Sequence, residues 1–283
     1  MNLAYLNGQY LPLDQAKIPV LDRGFLFGDA IYEVMPVHHR QLFRFEHHFQ
    51  RLQRSIEAIK INLAYSESDW RKILQPLIDQ HPENHFNIYL QISRGAEAQR
   101  LHQYSKDIKP TVVAFCTPHP DYKLEDFKGI KVVTHPDIRW QRCDIKGTSL
   151  LAGILLQQYA TEQGAVEALL INDGYVYEST ASNLFIVKNG TLITPPLSNK
   201  LLGGVTRDLV LELAAKHNLP QQQQLITLQA LYQADEVWLT GSNKEIQPVL
   251  TIDDNKIGNG QIGAIWHKMI QWFFAYKQEL HHV

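Results

Sequence analysis

The first third of the chain alternates short apolar runs with amphipathic stretches. Apolar residues recur every three or four positions between 45 and 59, which predicts a helix with one buried face. Ser66 and Asp69 have the spacing of a capping box, and we expect this second helix to reach about residue 80, with a kink or late break at Pro76. Runs rich in β-branched and aromatic residues predict strands at 30–37, 88–93 and 111–117.

Turn residues separate these elements. Asn7 and Gly8 stand between two short apolar runs, which predicts a β-hairpin over residues 3–13. Residues 22–29 contain two glycines and are interpreted as a loop, and the polar stretch 94–102 is interpreted as another. Because loops on a rigid sheet often carry binding groups, this second loop is a candidate for function.

The second half of the chain contains more strands. Helices are predicted at 150–164, from just after residue 204 to about 217, and at 262–278. Strands are predicted at 130–134, 167–172, 175–180, 183–187, 191–194 and 236–240. Helices and strands mixed in this way along the chain predict an α/β (α+β) fold.

Two prolines within three residues mark the predicted domain boundary. Pro118 and Pro120 favour an extended linker that no helix crosses. We therefore expect an N-terminal α/β domain at 1–118, a linker at 119–122 and a C-terminal α/β domain at 123–283.

Composition and charge narrow the function classes. The 283 residues are 45% hydrophobic and 20% charged, with a net charge of −2, so there is no electrostatic case for nucleic acid or an anionic membrane. The two cysteines are too few for a disulfide framework and no secretory signal or membrane span is recognisable, which favours a cytoplasmic protein. No Cys/His spacing resembles a metal site, so none is expected.

Two residues are candidates for reactive chemistry. Lys146 lies between a predicted strand and a predicted helix, near Arg139 and Arg142. Burial and nearby positive charge disfavour an ammonium group, and a neutral amine can form a Schiff base with a carbonyl. The alternative is an ordinary surface lysine at the start of a helix. Glu178 lies in an apolar predicted strand, where its carboxylate needs a partner such as a protonated ring nitrogen; alternatively, it is a strand-end glutamate without a special role.

Three further features are suited to anions. The glycine pair 203–204 precedes a predicted helix, whose first backbone N–H groups form a natural anion site, although such a pair is also an ordinary turn. Arg100 and His102, two residues apart, would converge on one anion if the backbone is extended; otherwise they are scattered charges on a mobile loop. Arg51 lies beside an apolar helix stripe and carries a guanidinium suited to phosphate, or is simply solvated.

Two motifs together carry a family resemblance. Arg-Cys-Asp-Ile-Lys occupies 142–146, and Tyr-Glu-Ser-Thr-Ala-Ser-Asn-Leu-Phe occupies 177–185. They resemble the class IV aminotransferases, the fold-type IV enzymes that use pyridoxal 5′-phosphate (PLP), and within that group the D-amino acid aminotransferases. The similarity runs in order from about Tyr5 to Pro248. It implies two α/β domains with the cofactor in the cleft between them.

The resemblance also implies roles for individual residues. Lys146 is the catalytic residue and holds the cofactor, Glu178 pairs with its ring nitrogen, and Arg51 grips its phosphate. Further residues implied at the cofactor are Ser182, Asn183, Leu202, Val205, Thr206 and Ser242. The substrate is expected to contact Tyr32, Arg100, His102, Ser242 and Asn243. The segment around Tyr32, taken alone, favours a tyrosine that packs in a strand. In the loop at 241–243, Gly241 and Asn243 depart from the family's hydroxyl-rich pattern.

The reaction implied is a ping-pong transamination between small D-amino acids, of the D-alanine, D-glutamate and D-aspartate class, and 2-oxo acids. The resemblance also implies a homodimer in which the Arg100/His102 loop reaches the neighbouring site. Branched-chain L-amino acid aminotransferase and aminodeoxychorismate lyase are the alternatives on the same fold, and the Arg-x-His loop argues against both. A non-catalytic PLP-binding protein is a third alternative, which the presence of both Lys146 and Glu178 disfavours.

Overall fold

Two compact units make up the protein, described here for residues 3–279 of a computed structural model. The first consists of the chain up to Asp121 together with Ile145–Leu150, and the second of Tyr122–Asp144 together with the chain from Leu151 onward. Both units combine helices and strands, so the predicted α/β (α+β) class is confirmed. The outer ends of the predicted domains, residues 1–2 and 280–283, lie outside the described residues.

The first unit is built on an antiparallel sheet of six strands in the order β2-β1-β6-β5-β3-β4. Its strands are β1 (Leu3–Leu6), β2 (Gln9–Pro12), β3 (Ala30–His38), β4 (Gln41–Leu42), β5 (Phe86–Ser93) and β6 (Thr111–Pro118). Its helices are α1 (Arg23–Phe27), α2 (Phe45–Ala58) and α3 (Glu67–Gln80). The core forms where the apolar faces of α2 and α3, including Leu52 and Trp70, pack against buried strand residues such as Ile88.

Local sequence signals in this unit are mostly confirmed. The Asn7-Gly8 turn has positive φ at both residues, and Ser66 and Asp69 form the capping box of α3. The predicted extent of α3 to about residue 80 is confirmed, and only the alternative of a break at Pro76 is wrong, because the helix continues past Pro76 to Gln80.

The interpretation of residues 22–29 as a loop is also wrong in part, because it contains α1. The Asp22 carboxylate accepts the N–H of Gly24 at 2.8 Å and so caps the start of this helix. Gly28 ends the helix in the left-handed conformation, with φ of 64°. Two glycines in eight residues suggested a loop, but one of them is the helix terminator.

The second unit is built on a ten-stranded sheet. Its strands are β7 (Ile130–Pro136), β8 (Ala168–Asn172), β9 (Tyr175–Ser179), β10 (Asn183–Lys188), β11 (Thr191–Thr194), β12 (Gln221–Gln223), β13 (Ile226–Thr227), β14 (Glu236–Gly241), β15 (Glu245–Ile252) and β16 (Asn255–Lys256). The sheet runs β12-β11-β10-β14-β15-β7-β8-β9-β13, with β16 on β15. Because β9 also pairs with β10, at Glu178 and Asn183, six of these strands form a closed ring. This pairing fixes those two residues side by side.

Four helices complete the second unit, namely α4 (Leu151–Glu162), α5 (Val205–Lys216), α6 (Leu228–Tyr232) and α7 (Ala264–Glu279). Helix α5 packs against α7 and β14, and Leu209 and Leu213 are among its buried residues. In contrast, α4 leaves Leu151, Ile154 and Leu155 exposed, at 70%, 61% and 55% of their surface. Within residues 3–279, no helix combines the length and the apolar character that crossing a membrane requires.

Residues 145–150 belong to the first unit although both flanking segments belong to the second. The short strand β4 pairs only with Val37 and His38, so it leaves the start of β3 with an open edge. Residues 146–148 occupy that edge, through hydrogen bonds from Tyr32 N to Lys146 O at 2.9 Å and from Thr148 N to Ala30 O at 3.0 Å. The division drawn from Pro118 and Pro120 had assigned this segment to the second domain.

Candidate active site

Lys146 and Tyr32 lie together in the first unit. The backbone pairing of 146–148 with β3 places the Lys146 Nζ atom 4.4 Å from the centre of the Tyr32 ring. The Tyr32 ring in turn stacks on Tyr89, with 5.7 Å between their centres. The Tyr89 hydroxyl donates to Gln91 at 2.7 Å, and burial raises the pKa of Tyr89 to about 12. The predicted reactive lysine and the predicted substrate tyrosine are therefore held on one face of β3.

Arg51 is fixed by two buried residues that the sequence analysis did not identify. Its guanidinium donates to both carboxylate oxygens of Glu33, at 2.8 and 2.7 Å, and Glu33 also accepts from His48 Nδ1 at 2.8 Å. Burial raises the pKa of the Glu33 carboxyl, but Arg51 and His48 outweigh it and hold that pKa far below its usual range. Burial lowers the pKa of His48, and its hydrogen bond and charge interaction with Glu33 offset this only in part. A bidentate pair of this kind fixes the orientation of the guanidinium.

Arg100 and His102 are exposed residues of the connection between β5 and β6, which contains neither helix nor strand, as predicted. Both contact Phe27, the last residue of α1. The Arg100 guanidinium carbon lies 4.9 Å from the centre of the Phe27 ring, and the His102 ring meets it edge-on at 5.5 Å. The two side chains are therefore neighbours on one aromatic ring.

An open cavity of about 800 Å³ lies beside the base of the same connection. Its lining includes Tyr65, Glu97 and Lys109, and none of the residues predicted for cofactor or substrate. Despite its size, this cavity is not the candidate active site, because neither Lys146 nor Glu178 lines it. Among residues 3–279, no three His, Cys, Asp or Glu side chains are arranged to hold a metal ion.

Glu178 is the centre of a buried polar group in the second unit. One of its oxygens accepts from Arg139 at 2.6 Å, and the other accepts from the Asn183 side chain at 3.2 Å and from Leu202 N at 3.1 Å. Asp137 forms a second ion pair with Arg139. Burial raises the pKa of the Glu178 carboxyl, and the charge of Arg139 offsets this only in part. A further cationic N–H partner would hold this carboxyl in its ionised form.

Glu167 connects the turn after Glu178 to the turn between β14 and β15. It is fully buried, and it accepts hydrogen bonds from Ser182 Oγ at 2.8 Å and from Ala181 N at 3.0 Å, and another from Ser179. It also forms an ion pair with Lys244. Burial raises the pKa of Glu167, but Lys244 and these hydrogen bonds lower it below its usual value.

Ser242 and Asn243, two predicted site residues, lie immediately before Lys244 in the turn between β14 and β15, so Glu167 anchors the segment that carries them. A buried glutamate with no motif around it offers no sequence signal for this role.

The N-terminus of α5 is suited to an anion. Gly204 is its N-cap, and no side chain caps the helix, whereas Asp22, Ser66 and Thr227 cap α1, α3 and α6. The first helical residues, Val205 and Thr206, are buried. Backbone N–H groups at an uncapped helix start need acceptors, and phosphate oxygens supply them.

Asn183 connects this helix start to Glu178. Its side chain donates to Glu178 and to the carbonyl of Leu202 at 2.8 Å, and its carbonyl oxygen faces Gly204. Across the sheet, Asn183 pairs with Thr240, whose hydroxyl is buried without a hydrogen-bond partner. The second unit therefore brings together Glu178, Asn183, Leu202, Val205 and Thr206, and their binding of a cofactor stays a prediction.

If the start of α5 binds the phosphate of the PLP that the family resemblance implies, Gly204→Ala should lower the affinity for PLP by at least about tenfold, a change of roughly 1.4 kcal/mol. A Cβ at Gly204 would lie 2.0 Å from Asn183 Oδ1, so Asn183 must move and its bond to Glu178 is strained. Gly203→Ala is the matched control, because there the nearest atom, Leu197 Cδ2, is 3.6 Å away. Fluorescence titration of the apoprotein with PLP measures the difference. Equal affinities for the two variants would contradict the proposed closeness of Gly204 to the phosphate.

Comparison with known proteins identifies the family. The family model described as Amino-transferase class IV matches residues 30–252. The chain is 36% identical to D-alanine aminotransferase of Bacillus licheniformis over 92% of this chain and 91% of that protein. It is 34% identical to D-alanine aminotransferase of Staphylococcus aureus (strain N315) over 98% of both chains. The chain therefore belongs to the class IV aminotransferases. It is a transferase, and its cofactor is PLP.

Solved structures agree at the level of the fold. The branched-chain amino acid aminotransferase of Thermobaculum terrenum in its PLP form aligns with a TM-score of 0.87 at 22% identity, over 97% of this chain and 93% of that one. The enzyme from Escherichia coli aligns with a TM-score of 0.87 at 24% identity, over 96% and 93%.

The residues present fit the cofactor. The buried Glu178 carboxyl with its raised pKa is suited to a ring N–H, and the uncapped start of α5 is suited to a phosphate.

Proposed function

We propose that this enzyme transfers the amino group between small D-amino acids and 2-oxo acids. The observation that carries the proposal is the pair Arg100 and His102, side by side on Phe27 in an exposed loop of the first unit. A guanidinium and an imidazole at neighbouring positions are suited to a substrate α-carboxylate. The D-alanine aminotransferases that the chain resembles support the same substrate class.

We propose that the cofactor contacts are those that the family motif implies. Lys146 Nζ would hold the cofactor, and Glu178 would accept a hydrogen bond from its ring N–H. Arg51 and the start of α5, with the backbone N–H groups of Val205 and Thr206 and the Thr206 hydroxyl, would bind its phosphate. Ser182, Asn183, Leu202 and Ser242 complete the set. When bound, PLP supplies an electron-accepting ring that stabilises negative charge at the substrate Cα.

The chain's own residues then move the proton and hold the substrate. Lys146 Nζ would take the proton from the substrate Cα as a general base. Once protonated, the same amine would give the proton back as a general acid. Tyr32, whose ring lies against Lys146, borders the space where that proton is exposed. The side from which Arg100 and His102 hold the carboxylate determines which enantiomer presents its Cα–H to Lys146. Asn243 is proposed to contact the substrate from the β14–β15 turn.

We propose that the enzyme acts as a homodimer in which the Arg100/His102 loop serves the partner's site. The exposed Leu151, Ile154 and Leu155 on α4 are the support, because exposed apolar side chains grouped on a surface are typical of a protein interface. The protein is proposed to act in the cytoplasm, which its two free, buried cysteines Cys116 and Cys143 support.

The first test is an absorbance titration of the holoenzyme with D-alanine, D-glutamate, L-leucine and L-glutamate. We expect the D-amino acids alone to bleach the band of lysine-bound PLP. Bleaching by L-leucine would instead identify a branched-chain L-amino acid aminotransferase. A coloured protein that none of the four bleaches would indicate aminodeoxychorismate lyase.

Arg100→Ala tests the carboxylate assignment. We expect KM for D-alanine to rise by at least about tenfold, because a charge-assisted hydrogen bond to the substrate is lost. The affinity for PLP should be unchanged, since Arg100 is not among the proposed cofactor residues. Steady-state kinetics together with a PLP titration separate the two quantities, and unchanged KM would remove Arg100 from the substrate site.

A further inference from the structure

Arg23 joins α1 to the loop that carries Arg100 and His102. The residue is buried, with 5% of its surface exposed. Its guanidinium donates to the carbonyl of Leu101 at 2.6 Å, to that of His102 at 2.9 Å and to that of Gln103 at 3.5 Å. Three consecutive carbonyls of the loop are therefore held by one side chain.

Hydrogen bonds tie the segment that carries Arg23 to the sheet of the first unit. Asp22, the N-cap of α1, also accepts from Ser93 Oγ at 2.9 Å and from Thr111 Oγ1 at 2.7 Å, at the ends of β5 and β6. Arg23 Nε donates to Asp29 at 2.8 Å. Helix α1 is thereby fixed to the two strands from which the loop emerges.

Arg94 reinforces this anchor. It binds both carboxylate oxygens of Asp29, at 2.8 and 2.9 Å, and its guanidinium lies 3.9 Å from the centre of the Tyr104 ring in the loop. Burial raises the pKa of Asp29, but the hydrogen bonds and charges of Arg94 and Arg23 lower it below its usual value. An ionised Asp29 thus holds both arginines.

The loop closes on itself at its base. Glu97 accepts from Ser105 N at 2.7 Å and from Ser105 Oγ at 3.1 Å. Gly95 has φ of 105°, and a Cβ there would lie 1.9 Å from the carbonyl oxygen of Lys109. The base is closed by these contacts, and Arg23 holds the tip at the residues on either side of His102.

We infer that Arg23 is a positioning residue that sets where Arg100 and His102 meet the substrate carboxylate. Phe27 contacts the side chains of Arg100 and His102, and Arg23 fixes the backbone that carries them. Phe27 and Arg23 together therefore determine where the guanidinium and the imidazole meet the carboxylate. This inference rests on the proposed function.

Lysine cannot replace Arg23 in this role. Its ammonium keeps the charge near Asp29 but lacks the planar fork that reaches several carbonyls at once. In Arg23→Lys the backbone at the loop tip becomes more mobile. Substrate binding must then include part of the entropic cost of ordering it, which lowers the affinity. Because the carboxylate is held in the ground state and in the transition state alike, we expect KM to change rather than kcat.

The test compares the holoenzymes of Arg23→Lys and Arg40→Lys. Arg40 is a matched control, because it also donates to three carbonyls, those of Ile78 at 2.8 Å, Asp79 at 3.5 Å and His81 at 2.8 Å, at the end of α3. In Arg23→Lys alone, KM for D-alanine should rise at least about tenfold with kcat within about threefold. The half-reaction with D-alaninol, which has no carboxylate, should keep its rate.

Hydrogen exchange gives a readout that does not depend on turnover. Leu101 N donates to Gln99 O at 3.1 Å, and Ser105 N donates to Glu97, so both amides report on the loop. Their exchange should accelerate at least about tenfold in Arg23→Lys and stay unchanged in Arg40→Lys. Arg23→Gln serves as the second variant if Arg23→Lys does not fold.

Each outcome separates the inference from the proposed function. Unchanged KM in Arg23→Lys, with KM raised in Arg100→Ala, overturns the role of Arg23 and leaves the D-amino acid assignment intact. Equal losses in Arg23→Lys and Arg40→Lys, or with D-alaninol as well as D-alanine, also overturn it, since they indicate general destabilisation. A wild-type enzyme that does not transaminate D-alanine removes the proposed function, and this inference with it.

Discussion

Replacing Lys146 by alanine should lower the turnover of D-alanine by at least about 10⁴-fold and leave the fold intact. The expected loss is large because, in the proposed mechanism, one amine both binds the cofactor and moves the proton at the substrate Cα, and general acid–base catalysis alone contributes about 10²–10⁴-fold. The fold survives because residue 146 is held by its backbone, through Tyr32 N, while its side chain is half-buried against an aromatic ring. Single-turnover kinetics and a thermal melt measure the two effects.

Lys200→Ala is the control for that variant. Lys200 also lies over an aromatic ring, that of Tyr177 at 5.1 Å, and pairs with Asp173, but it has no assigned role in the reaction. It should retain turnover and the absorbance of lysine-bound PLP, both of which Lys146→Ala should lose. Added methylamine should restore part of the turnover of Lys146→Ala, because it can replace the missing base. A Lys146→Ala enzyme with more than about a tenth of the normal rate would contradict the assignment.

The second large effect is expected for Glu178→Gln, which should slow turnover by about 10²–10³-fold, the size found when one group that stabilises developing charge is removed. A neutral amide no longer favours a protonated ring nitrogen, so the ring accepts electrons less well. The change should also lower the stability by about 1–3 kcal/mol, because Arg139 loses one of its two carboxylate partners. Measurements of kcat and of the free energy of unfolding test the two effects separately.

Glu236→Gln is the structural control for Glu178→Gln. Glu236 accepts from Ile265 N and Trp266 N, each at 2.9 Å, and so caps the start of α7. Its replacement should cost stability, typically about 1 kcal/mol, with turnover unchanged. If both variants lost turnover equally, the effect of Glu178→Gln would be attributable to stability and the role of its carboxylate would be wrong.

Features specified by adjacent residues were predictable from the sequence. The capping box of Ser66 and Asp69 and the Asn7-Gly8 hairpin depend on residues within four positions of each other, and both are confirmed. The family followed from two motifs of contiguous residues, and the α/β class followed from the mixture of predicted helices and strands; both are also confirmed.

Ion pairs between side chains were not predictable, whether the partner lies near or far along the chain. We expected Arg139 and Arg142 to place positive charge around Lys146, but Asp137 and Asp144 neutralise them, two positions away in each case. Glu33 gives no sequence signal for its pairing with Arg51, because a strand residue must meet a helix residue 18 positions later.

The apolar face of α4, which carries Leu151, Ile154 and Leu155, shows a second limit of prediction from the hydrophobic pattern. Its spacing gives the apolar face of the helix correctly, but this face is exposed within the single chain. Spacing identifies which residues avoid water and not which surface covers them.

The pairing of residues 146–148 with β3 has a consequence for the order of events during synthesis. The first unit needs residues 145–150, so a ribosome must have made more than half of the 283 residues before the open edge of β3 is covered. An uncovered strand edge is a site where wrong pairing begins. A fragment that ends at Asp121 should therefore aggregate more readily than the same fragment supplied with residues 145–150 as a peptide.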